Sequence, residues 1–138
     1  MKKAIRIMLI CIAGLAVIIT GTILLVRWSL NGTNYRTFSE EKRQMMEQEF
    51  HIRVTDDLTL EEYFQIGFHE DRRLNLSTQK DLQTFLDENV LSAAAITEIE
   101  QESLYTKTKF EYASGNETVY GTFTELGEEN AVSLFLSS

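Results

Sequence analysis

The sequence predicts an α+β fold: one N-terminal transmembrane helix, then a small outer domain in which two helices pack on an antiparallel sheet of about five strands, in the order α-β-β-α-β-β-β. Three observations predict it. Residues 7–26 carry no charge and are mostly apolar. Two later segments repeat apolar residues at helical spacing, and the last third alternates apolar and polar residues between turn-forming clusters. That order of elements places the helices on one face of the sheet.

The uncharged stretch follows Lys2, Lys3 and Arg6 and ends at Arg27. A helix of that length reaches about 30 Å, the thickness of a bilayer's hydrocarbon core. The apolar region of a cleaved signal is usually shorter, about 7–15 residues. Cleavage also needs small residues just past the apolar run, where Val26, Arg27 and Trp28 stand instead; Ala13, Gly14 and Ala16 lie too deep. Trp28 suits the headgroup region. Cys11 follows Ile10 with a long uncharged run still to come, so it reads as a small apolar residue rather than a lipid-attachment site. Three cations and the amino terminus precede the span and Arg27 follows it, which favours a cytoplasmic N-terminus. The expected layout is a cytoplasmic tail at 1–6, a retained anchor at 7–28, a polar spacer at 29–36 and an extracytoplasmic domain at 37–138, on the plasma membrane. A secreted domain released by signal cleavage is the alternative.

In the outer part, Thr37 or Ser39 caps a first helix whose apolar stripe is Phe38, Met45, Met46 and Phe50. Ile52 and Val54 follow, and Thr55-Asp56-Asp57 makes a turn. Leu60, Glu62, Phe64, Ile66 and Phe68 share one parity, as in a strand with one buried face. Leu74 and Leu76 continue in a second strand beyond a hairpin at 69–72. A short helix from Thr59, ended by Gly67, is the rival reading of that region. Ser77 or Thr78 caps the second helix, with Asp81 in its first turn and Leu82, Phe85, Leu86 and Val90 as its stripe. Ala93-Ala94-Ala95-Ile96 suits either a prolonged helix or a strand. Three strands then form a meander. Leu104, Thr106, Thr108, Phe110 and Tyr112 alternate with polar neighbours; so do Val119, Gly121 and Phe123; Val132, Leu134 and Leu136 end the series.

The 13 basic residues include four in the anchor region, so the outer part holds 9 against 21 acidic residues, a net charge near −12. Such a surface repels nucleic acid and attracts cationic partners. The sole cysteine lies in the span, so the outer domain holds together by its core alone. With the Met-Lys-Lys start, this points to a bacterium. The three Asn-x-Ser/Thr triplets at Asn31, Asn75 and Asn116 read as turn and cap chemistry.

Catalytic parts are scarce. The histidines are His51 and His69, and no phosphate loop, paired-histidine motif or nucleophile elbow is present. His69-Glu70-Asp71 reads as a solvated hairpin tip, Arg72-Arg73 as a local ion pair with Glu70-Asp71, and the acidic pairs and the row Glu98, Glu100, Glu102 as solvated charge. No enzyme activity, cofactor or metal is expected. The expected role is a non-enzymatic interaction module, integral to the membrane, binding a cationic protein, peptide or cell-envelope component. Its candidate surface is the sheet face opposite the helices, with Tyr105, Lys107, Lys109, Tyr120 and Phe135. An accessory or immunity-type subunit acting through its transmembrane helix is the other reading, because Ala13-Gly14 and Thr20-Gly21-Thr22 suit close helix packing.

Overall fold

The computed structural model describes residues 1–30, 33–65 and 71–137. In chain order its elements are α1 (Lys2–Leu30), β1 (Thr33–Tyr35), α2 (Glu40–Phe50), β2 (Leu58–Gln65), β3 (Arg72–Thr78), α3 (Leu82–Asn89), β4 (Ala95–Gln101), β5 (Thr106–Ser114), β6 (Glu117–Glu125) and β7 (Asn130–Ser137). α1 is long and apolar enough to cross a membrane, and none of its apolar window is buried against the rest of the chain. The α+β class is the expected one. Among the described residues, however, the sheet has seven strands rather than about five, all antiparallel, in the order β1-β2-β3-β7-β6-β5-β4.

One added strand, β1, falls within the residues read as a spacer. It pairs with β2, and its Tyr35 ring stacks on Tyr63 with centroids 5.6 Å apart. The Lys42 ammonium sits 4.0 Å from the centroid of the Tyr35 ring. The second added strand, β4, begins at Ala95 and settles the ambiguous alanine run. Segment 59–65 is strand, but its expected parity fails halfway. A β-bulge between Leu60 and Glu62 inserts Glu61, so Tyr63 turns into the core and Phe64 turns out. The Glu61 carboxylate accepts the Ser77 hydroxyl at 2.7 Å. Ile66, Phe68, His69 and Glu70 lie outside the described residues.

α2 starts at Ser39, whose hydroxyl accepts the Lys42 N–H. Met46 and Phe50 are buried; Met45, expected on the same stripe, faces solvent. Its C-terminus meets the sheet, and that decides how its last carbonyls are satisfied. The Tyr112 hydroxyl donates to the Phe50 carbonyl at 2.6 Å and the Ser114 hydroxyl to the Glu49 carbonyl at 2.9 Å. Burial pushes the Tyr112 phenol well up from its ordinary pKa. The chain leaves α2 through His51 in the left-handed region at φ 52°, the one positive-φ non-glycine among the described residues. That conformation is one glycine adopts freely. His51→Gly is therefore expected to stabilise the domain by about 0.5–1 kcal/mol, read as a raised urea midpoint; a lowered midpoint would mean the imidazole itself is needed for the fold.

α3 is capped by Asp81, which accepts the Thr84 N–H at 2.7 Å, rather than by Ser77 or Thr78. Both of those belong to β3, and the Thr78 hydroxyl accepts the Lys80 N–H at 3.1 Å. At its other end, the fully buried Asn89 side chain donates to the Arg53 carbonyl at 2.7 Å and accepts from the Lys80 ammonium at 3.3 Å. Lys80 also binds Asp57 at 3.0 Å and Glu88 at 2.5 Å. Through Lys80, two carboxylates expected to be merely solvated thus tie α3 to the turn before β2.

Both helices cover one sheet face. Phe85 of α3 is wholly buried against Phe110 and Phe123, with centroids 6.3 and 5.9 Å away. Phe50 of α2 meets Tyr63 edge to face at 6.4 Å, and burial, with the Glu49 carboxylate beside it, pushes the Tyr63 phenol up to about 12. Arg72 salt-bridges Glu49 of α2 and, at 3.3 Å, Glu117 of β6; its expected pairing with Glu70 falls on a residue outside the described ones. β5 and β6 join through Gly115 and Asn116, with Gly115 at the positive φ that such a two-residue hairpin needs.

Candidate interaction surface

Cross-strand register builds the sheet face opposite the helices row by row. One row reads Phe64, Arg73, Phe135, Tyr120, Glu111 across β2, β3, β7, β6 and β5. The next reads Asn75, Ser133, Thr122, Lys109, Glu98, and a third Ser77, Ala131, Thr124, Lys107, Glu100, each ending on β4. Among the described residues, no helix covers this layer.

The structure brings four of the five expected residues onto this face. Tyr120 and Phe135 are direct cross-strand partners, and Lys107 and Lys109 stand on the two adjoining rows. Tyr120 is 49% exposed, whereas Phe135 is partly covered by Arg73, whose guanidinium lies 5.9 Å from the ring centroid. Tyr105 is exposed but precedes β5; it sits in the loop from β4, its carbonyl accepting the Glu102 N–H at 2.9 Å. Leu104, read as the start of that strand, lies in the same loop and is exposed.

Lys109 is not a free cation. Its ammonium holds Glu98 at 2.7 Å and Glu100 at 3.1 Å. The hydrogen bond from Lys109 keeps the Glu98 carboxyl below the usual carboxylate range, and donating to Glu98 and Glu100 keeps the ammonium above its own. These two glutamates, expected to be solvated, therefore belong to the surface. So does Phe64, which its sequence parity had assigned to the core; the bulge at Glu61 turns it outward, and no local pattern announces that bulge.

His51 borders an open groove with Gln48, Arg53 and Leu91. Among the described residues, no three His, Cys, Asp or Glu side chains are grouped to hold a metal ion. His69 and Glu70 lie outside those residues. The open face offers ring faces, hydroxyls and paired charges on a broad sheet. That form suits contact with another macromolecule better than enclosure of a small ligand, which calls for a concave pocket. No protein-family model, curated protein or solved structure matches the chain.

Proposed function

We propose that the chain is a single-pass membrane protein whose acidic outer domain binds a cationic protein, peptide or cell-envelope component and catalyses nothing. α1 is the anchor, its N-terminus lies in the cytoplasm, and the domain works outside a bacterial plasma membrane. The observation that carries this reading is the uncovered sheet face with Phe64, Tyr120 and Phe135 set among charges, on a domain of net charge near −12. Aromatic rings interleaved with charge suit recognition. A tether confines the domain beside the envelope and raises its effective concentration for partners there. The negative field steers cations toward it and makes association depend on ionic strength.

The test has two arms. Intact-mass measurement on membrane-extracted protein is expected to show α1 retained; a product beginning after residue 16 or 28 would make the domain a secreted one. Capture of envelope partners by the full chain is expected to weaken strongly between low and high salt, and to survive replacement of residues 7–26 by an unrelated span. A second reading draws on the exposed flank of α1 formed by Ala16, Thr20 and Gly21, which suits close packing on another transmembrane helix. Capture that is lost with the span exchange would favour that accessory-subunit role.

A further inference from the structure

The two edges of the sheet differ. β1 is three residues long and is the first strand after α1. β4 is seven residues long, pairs among the described residues with β5 alone, and all its residues but Glu100 are exposed. Its apolar side chains are the outermost members of rows that are otherwise in the core. Ile96 follows Tyr63, Leu74, Leu134, Gly121 and Phe110, all buried, yet is itself 49% exposed. Ile99 ends the row Leu76, Val132, Phe123, Thr108 and is 60% exposed. On the opposite face the rows end at Glu98 and Glu100, two carboxylates that share the Lys109 ammonium.

Resting on the reading of the outer domain as a binding module, we infer that β4 is a docking edge for an extended segment of a partner protein in which basic and apolar residues alternate. An eighth strand laid on β4 takes up the edge's free peptide groups. Its apolar side chains extend the two buried rows over Ile96 and Ile99, and its lysines or arginines fall beside Glu98 and Glu100. The regular part of the edge, Glu98 to Gln101 beyond the bulge after Ile96, fixes the register.

A second copy of the chain does not fit this edge. Antiparallel pairing of two β4 strands with like faces together sets Glu98 or Glu100 against its counterparts, which repel. The two-fold axis of such a pair is perpendicular to the strands and turns one sheet end for end. Each chain enters its sheet at the Thr33–Gln65 end, so such a pair would carry its two entry points at opposite ends.

The test uses the full chain in zwitterionic nanodiscs and a synthetic peptide of alternating lysine and isoleucine, of about the length of β4. Peptides with glutamate for lysine, and with the lysines and isoleucines in separate blocks, serve as controls. Hydrogen exchange is expected to show new protection at β4 amides with the alternating peptide only. Binding is expected to fall at least tenfold in E98Q/E100Q and in Ile99→Asn, two variants confined to the edge strand, while the melting temperature of the unliganded protein holds. Protection at Tyr120 and Phe135 in place of β4 would overturn the edge proposal and leave the wider binding role standing. Equal binding of all three peptides, no binding of any, or a peptide-free dimer protected at β4 would each overturn it as well.

Discussion

Phe85→Ala is expected to destabilise the outer domain by about 3–5 kcal/mol, the range for deleting a large aromatic from a packed core. Phe85 has no exposed surface and is the contact through which α3 grips β5 and β6, by Phe110 and Phe123. α3 is only eight residues long, and a helix that short is held by its packing rather than by its own propensity. The void is therefore expected to loosen the whole α3 segment, including the Asn89–Lys80 network at its end. Urea unfolding followed by far-ultraviolet circular dichroism measures the loss. A change below about 1 kcal/mol would show that the ring is not part of the core.

Gly121→Ala is expected to destabilise too, by about 1–3 kcal/mol, although alanine ordinarily improves on glycine inside a regular element. The added methyl would lie 2.2 Å from Cζ of Phe110, and within 2.7 Å of two further ring atoms. That ring has no room to swing aside: it is 1% exposed, stacked along Tyr112 at 6.3 Å and met by Phe85. Phe110→Leu in the same chain should recover part of the loss, because the two positions are cross-strand partners and share one volume. Additive losses in the double variant would show that the glycine serves some purpose other than making room for the ring.

The elements that were legible are those whose side chains report their own surroundings. β5, β6 and β7 alternate cleanly because one face is core and the other open, and the α3 stripe shows in Leu82 and Phe85 for the same reason. What escaped depends on partners distant in sequence. β1 is too short to carry a period and exists because Tyr35 finds Tyr63. β4 reads poorly because its isoleucines are exposed and its alanines favour helix. The bulge at Glu61 reverses the parity of β2, so Phe64 was placed inside and Tyr63 went unremarked. On the candidate surface, the positions of Tyr120 and Phe135 followed from alternation alone. The pairing of Lys109 with Glu98 and Glu100 is a matter of register, which no single strand records.

β7 lies at the middle of the sheet, between β3 and β6, yet it is synthesised after the other six strands. On the ribosome, then, the nascent domain exists as two unjoined parts, a β1-β2-β3 ribbon and a β4-β5-β6 ribbon, each with an open inner edge and uncovered core residues. Folding cannot be completed strand by strand as the chain emerges; it waits for residues 130–137 to clear the exit tunnel and bridge both ribbons at once. A chain cut short before β7 would keep α1, α2 and α3 while presenting two unpaired β edges to its neighbours and to proteases.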